Sequence, residues 1–184
     1  KDQHFDAYIM DLETPLPEAD NNETLFPVRL VHSIDRPGWN IKWSPDGRRL
    51  AVVYEGPGQD YRTYIINPDS KEARPVCQDG KPIDAYNPAW SPNGKRLAFA
   101  SDAGEWREIG ILEIETMKIT WLGQSTGERN SPSWSPDGRN LVYVSADGAE
   151  TWLELWRAGE LPLRLQQVEP GMHYCPTFTP DGDA

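Results

Sequence analysis

Apolar residues in this chain come in short dense runs, not in helical stripes. "LAVVY" (50–54), "LAFAS" (97–101) and "LVYVS" (141–145) are almost wholly apolar, as expected for strands covered on both faces. "IGILEIE" (109–115) and "WLELWR" (152–157) alternate apolar with charged residues, the period-two signature of a strand with one wetted face. "TYIIN" (63–67) reads as a strand of the same rank, and "ARPVCQ" (73–78), "KITWLG" (118–123) and "PLRLQQ" (162–167) as the strands that follow. Polar segments rich in Gly and Pro separate the runs, among them "EGPGQDYR" (55–62), "SDAGEWRE" (101–108) and "SADGAET" (145–151). No stretch keeps an i, i+3, i+4 spacing, so the pattern predicts an all-β chain.

The runs recur. The aromatic anchors Trp43, Trp90, Trp134 and Phe178 stand 47, 44 and 44 residues apart, a period that marks propellers and similar arrays. Each anchor opens a tight turn: Pro45-Asp46-Gly47, Pro92-Asn93-Gly94, Pro136-Asp137-Gly138 and Pro180-Asp181-Gly182. Pro presets the first corner, Asp or Asn tolerates the second, and Gly accepts the positive φ that reverses the chain. A short strand before the turn and three after it make a four-stranded antiparallel blade of a β-propeller. The repeat frame predicts a partial blade over 1–38 with an acidic insertion at 14–24, blades over 39–83, 84–127 and 128–170, and the start of another over 171–184. About four blades are therefore expected here, as part of a larger propeller of six to eight. A closed four-bladed ring, with both chain ends sharing a blade, is the alternative. Trp43, Trp90 and Trp134 are expected in the core, packing one blade on the next.

The runs "PSWSPDGRNLVYVS" (132–145), 88–101 and 41–54 resemble the repeat of TolB-type propellers, which also occurs in the propeller domain of the prolyl oligopeptidase family. The likeness covers essentially the whole chain. It implies a propeller fold, and by analogy either an extracytoplasmic protein-binding scaffold or the substrate-gating domain of a serine peptidase. Departures are Asn93, where the other turns carry Asp, and Ile41, where later units have Pro88, Pro132 and Pro176.

Net charge changes the picture of partners. With a formal charge of −11, the chain lacks the basic face that nucleic acid or anionic membrane requires, and no apolar run is long enough to span a bilayer. Cys77 and Cys175 read as unpaired small side chains. His4, His32 and His173 lie too far apart for metal-ligand spacing, and Asp46, Asp137 and Asp181 are explained as turn formers, so no metal or cofactor is expected. A sugar- or lactone-acting propeller enzyme would need more carboxylates and histidines in its channel than the chain offers. "GQSTG" (123–127) matches the nucleophile-elbow pattern, but that motif works only between a strand and a helix. Here the repeat frame makes it a loop between strands, so no catalytic residue is expected. The acidic, Pro-rich "DLETPLPEADNNE" (11–23) reads as a solvated surface insertion.

Function is expected instead from repeat-equivalent loop residues. Loops entering the first strands and loops joining second to third strands emerge on one face, around a central channel. The entering loops offer Arg36, Trp39 and Asn40; Asp84, Tyr86 and Asn87; Glu128, Arg129 and Asn130; His173 and Tyr174. The joining loops add Tyr61, Arg62, Trp106 and Arg107. Tyr, Trp and Arg dominate binding energy at protein interfaces, so a protein or peptide partner is the expected ligand.

Overall fold

Each apolar run becomes a strand because its neighbours in sequence can turn tightly enough to pair with it. The computed structural model describes residues 5–10, 28–34, 38–56, 60–123, 127–168 and 175–182, and among them finds sixteen strands and no helix. Strands β1 (Phe5–Met10) and β2 (Val28–Ile34) form a two-stranded antiparallel sheet. Three four-stranded antiparallel sheets follow. The first holds β3 (Gly38–Trp43), β4 (Leu50–Glu55), β5 (Tyr61–Ile66) and β6 (Ala73–Pro75). After the small hairpin β7 (Cys77–Gln78) and β8 (Lys81–Pro82) comes the second, with β9 (Tyr86–Trp90), β10 (Arg96–Ser101), β11 (Glu108–Glu113) and β12 (Lys118–Trp121). The third holds β13 (Glu128–Trp134), β14 (Asn140–Asp147), β15 (Glu150–Arg157) and β16 (Leu163–Val168). These are propeller blades in sequence order. The acidic insertion lies outside the described residues.

The turn between first and second strands is held by more than Pro, Asp and Gly. In the first blade the Ser44 hydroxyl donates to Asp46 Oδ1 at 2.6 Å and accepts the Arg49 N–H at 2.9 Å, while the Gly47 N–H donates to the Ser44 carbonyl at 2.9 Å. Ser91 with Asn93 and Ser135 with Asp137 repeat the arrangement. Asn93 fits because its Oδ1 accepts the same bonds as a carboxylate oxygen. The glycines at 47, 94, 138 and 182 all have φ between 66° and 85°.

Blades meet through faces of unequal bulk. Ala98, Ala100, Ile109 and Ile111 of the second blade pack against Trp134, Leu141 and Tyr143 of the third. Ala51 and Ile65 of the first pack likewise against Leu97, Phe99 and Leu112 of the second. Val31 and Ile9 of the two-stranded sheet cover Leu50, Val52 and Ile66 of the first blade. Small and branched residues on one sheet thus leave room for large ones on the next. Across β10 and β11, Phe99 stands opposite Gly110, where a Cβ would fall 2.5 Å from the ring.

Three expectations need correction. Trp134 is core, only 7% exposed, and Trp90 is half-buried, but Trp43 is 46% exposed. The cause is visible in the hydrogen bonds. The Trp134 Nε1–H donates to the Ala89 carbonyl at 3.1 Å and the Trp90 Nε1–H to the Lys42 carbonyl at 3.0 Å, each reaching the first strand of the preceding blade. Before Trp43 the described residues hold only β1 and β2, which stand where third and fourth strands belong, so no first strand lies beneath its ring. Second, residues 145–151 are not a polar loop. Ser145, Ala146 and Asp147 pair with Trp152, Thr151 and Glu150 around a two-residue turn. Third, 73–78 is not one strand: the Val76 N–H still follows the β5–β6 register to the Thr63 carbonyl, but the Val76 carbonyl accepts the Ile83 N–H, and Asp79 and Gly80, both left-handed, close a separate hairpin.

Candidate functional site

The starts of β3, β5, β9 and β13, the end of β10 and the residues leading into β11 converge on one end of the blades. Trp39 opens the group, 38% exposed, with its ring edge-on to Tyr61 at 4.8 Å. Tyr61 in turn meets the buried Tyr86 at 5.7 Å. A run of aromatic edges therefore crosses from the first blade to the second, each contact in the T-shaped geometry that ring quadrupoles favour. Asp84 accepts the Tyr61 backbone N–H at 2.9 Å, fixing the start of β5 to the start of β9. Burial raises the Asp84 carboxyl above its ordinary range, and the nearby Asp102 and Asp60 raise it further against the pull of that N–H and of Arg62.

Arginines stitch this row together. Arg62 pairs with Asp60. The Arg107 guanidinium donates to Asp102 Oδ1 at 2.9 Å, reaches Glu128 Oε2 at 3.3 Å, and lies over the Tyr86 ring at 5.4 Å. The Tyr86 hydroxyl donates to the other Asp102 oxygen at 2.9 Å, and burial pushes its phenol well above the usual range. Arg129 is buried between blades: it pairs with Glu154 at 3.2 Å, donates to the Gly123 carbonyl at 2.9 Å and stacks over Tyr143 at 5.5 Å. Its own N–H donates to the Arg107 carbonyl at 2.8 Å. Arg129 is thus an inter-blade tie, not a surface contact. Trp106, 45% exposed, stands beside Arg107 on the loop after β10. With Arg62, Arg107 and Arg129 already paired, Trp39 and Trp106 are the most exposed large apolar side chains among the described residues of this end.

The predicted asparagines divide. Asn40 and Asn87 lie three residues before Trp43 and Trp90, both left-handed at φ 58° and 50°, and each marks an irregularity in the ladder of its first strand. Such bulges cluster at rims and beside functional sites, where they re-aim a side chain. In the third blade the equivalent position is Ser131, φ 52°, and Asn130 sits one residue earlier. Asn130 Oδ1 accepts the Asn87 side-chain N–H at 2.8 Å, linking the two blades. Asn40, Asn87, Ser131 and Cys175 line one cavity of about 540 Å³ bounded by the first strands. Arg36, His173 and Tyr174 lie outside the described residues. Sequence reasoning missed Asp60, Asp102 and Glu154, the acids that hold the arginines; only Asp60 stands close in sequence to its partner, two residues before Arg62, while Asp102 is five residues from Arg107 and Glu154 is 25 from Arg129.

Among the described residues, no group of three or more His, Cys, Asp or Glu is placed to hold a metal ion. Cys77 and Cys175 are free. The elbow-like 123–127 is followed by the strand β13, and its residues 124–126 lie outside the described residues. His4 and His173 also lie outside them, while His32 falls in β2.

No protein-family model matches this chain. No curated protein matches it either. Solved structures do. TolB from Acinetobacter baumannii aligns with a TM-score of 0.66 at 20% identity, over 85% of this chain and 38% of its own. An oligogalacturonate lyase in complex with manganese aligns at 0.67 and 19%, over 85% of this chain and 46% of its own. A study of two prolyl endopeptidases supplies a third match at 0.59 and 16%, over 90% of this chain and 30% of that one. The chain has the TolB-type β-propeller fold, and it spans less than half the length of these three structures.

Proposed function

We propose that this chain is a non-catalytic binding module, acting outside the cytoplasm, that holds a protein or peptide against the end of the blades where Trp39, Tyr61, Tyr86 and Trp106 gather. The observation that carries the reading is the exposure of Trp39 and Trp106 beside arginines whose charge is already met. Rigid aromatic rings lose little conformational freedom on binding, and blades fix their spacing in advance. The likeness to TolB supports this assignment.

The test pans a displayed random-peptide library against the chain. Selected peptides should lose about tenfold or more in affinity to Trp39→Ala and to Trp106→Ala, the loss expected of tryptophan anchors, while the circular dichroism spectrum is unchanged. Peptides that bind both variants as tightly as the parent would remove the loop end from the reading. The likeness to the prolyl endopeptidases favours a second reading, a substrate-gating propeller. A Gly-x-Ser-x-Gly segment set between a strand and a helix elsewhere in the same polypeptide would decide for it.

A further inference from the structure

The end of the blades opposite Trp39 and Trp106 has a different charge. At the boundary of the second and third blades, Arg96, Asp137, Gly138, Arg139, Asn140 and Arg157 line an open cavity of about 530 Å³. Two of its guanidinium groups are held in place by neutral acceptors. Arg96 lies over the Trp134 ring at 4.3 Å and donates a terminal N–H to the Gly138 carbonyl at 2.7 Å. Arg157 donates its Nε–H to Asn140 Oδ1 at 2.9 Å. Each retains other N–H donors of its fork. Glu113, opposite Arg96 in the ladder, and Glu160, in the turn after Arg157, form no ion pair with either arginine among the described residues. Arg139 is exposed and reaches Asp137 Oδ2 only at 3.9 Å, while Asp137 Oδ1 already accepts the Ser135 hydroxyl and the Arg139 N–H. Three guanidinium groups against one carboxylate leave two positive charges unmet.

We infer that this groove binds the dianionic phosphate of a phosphate monoester. Guanidinium forks match phosphate oxygens two at a time, and a phosphate monoester carries about −1.5 to −2 at neutral pH, the charge the groove lacks. A carboxylate would bring half of it. The chain's net charge of −11 does not oppose this. Asp60, Asp84 and Asp102 stand at the far end of the blades, and β10, six residues long, separates Arg96 from that end. At about 3.3 Å per residue the separation is about 20 Å, or about two Debye lengths at physiological salt. The groove belongs to one boundary. Arg49, at the repeat position of Arg96, lines a cavity with Glu72 and Arg74, which pair with each other at 2.7 Å, so a carboxylate is already present there. It is a single site, not the extended basic face that nucleic acid requires. This inference is independent of the loop-end reading.

The test titrates the ¹⁵N-labelled chain with inorganic phosphate at constant ionic strength and follows the arginine Nε–H resonances by nuclear magnetic resonance. The Arg96 and Arg157 signals should shift along one saturating curve, and acetate should bind at least about tenfold more weakly. Arg157→Gln and Arg96→Gln should each weaken phosphate about tenfold, the worth of one hydrogen bond to a charged group, while Arg49→Gln leaves the affinity unchanged. Arg96 packs on Trp134, so the exposed Arg157 provides the variant that leaves the fold undisturbed. Shifts that stay linear in phosphate, equal affinity for acetate, or equal weakening by Arg49→Gln would each overturn the inference. A phosphoserine peptide and its unphosphorylated form distinguish the sources of the phosphate. Tighter binding of the phosphopeptide than of inorganic phosphate supports the site with a phosphorylated chain as ligand, and equal binding supports it with a small phosphate ester.

Discussion

Trp134 and Trp43 occupy the same place in the repeat but different surroundings, and their replacement by alanine separates packing from sequence. Trp134 is 7% exposed, stands 6.3 Å from Trp156 and under the Arg96 guanidinium at 4.3 Å, and donates its N–H to Ala89. Trp43 is 46% exposed and makes none of these contacts. A tryptophan buries up to about 250 Å², so the difference in exposure corresponds to about 100 Å² of extra surface removed from water at position 134. At about 25 cal/mol per Å² that is about 2.5 kcal/mol. The hydrogen bond, with its acceptor left buried in the variant, adds about 1 kcal/mol. Trp134→Ala should therefore cost about 3–5 kcal/mol, in the range of large core truncations, and Trp43→Ala about 3 kcal/mol less. Urea unfolding followed by circular dichroism gives both numbers from the shift in midpoint at constant slope. Equal losses at the two positions would refute the view that the indole is stabilised by the preceding blade.

Gly138→Val should destabilise by about 1–3 kcal/mol through its left-handed backbone. Gly47→Val should cost less in the same urea assay, because a Cβ at 138 would sit 3.3 Å from Pro92 whereas one at 47 meets nothing within 4 Å. Asp46 and Asp137 are held below the ordinary carboxylate range, chiefly by the Ser44 and Ser135 hydroxyls. Their contribution is present above the unfolded carboxylate pKa of about 4 and fades as pH falls through the lowered folded values. Asp46→Asn with Asp137→Asn should thus flatten the acid limb of stability against pH, as Asn93 already does in its own turn. Asp84, raised mainly by burial, has the opposite sign: its ionisation in the fold opposes stability at neutral pH, and Asp84→Asn should raise the midpoint at pH 7 but not at pH 3.

The blades were legible because their signals are local. An aromatic, Ser-Pro-Asp-Gly and an apolar pentad sit within a dozen residues, and each dictates its own dihedral angles. The placement of Trp39, Tyr61, Asp84, Tyr86 and Arg107 at one end of the blades follows from strand order alone, since alternate turns of an antiparallel sheet lie on one side. What sequence hid was neighbourhood. Trp43 is spelled like Trp134, and only the sheet beside it decides whether it is covered. Arg129 looks like Arg107 in a polar loop, yet the Glu154 carboxylate of β15 and the Gly123 carbonyl just after β12 draw it inside. The β7–β8 hairpin did have a signal: Asp79-Gly80, directly after the run 73–78, is the dipeptide that two-residue hairpins favour. Polar residues at 145–151 obscured a ladder whose hydrogen bonds do not depend on side-chain chemistry.

The indole that reaches back to the preceding first strand has a consequence for how such a gene can change. Both boundaries between the four-stranded blades use the same donor, the same acceptor position and the same contrast of small against bulky faces. A duplicated cassette of 44 residues, the spacing from Trp90 to Trp134, would arrive already able to greet the unit before it and the unit after it. Ring size can then drift by whole units through recombination, with no intermediate that must invent a new seam.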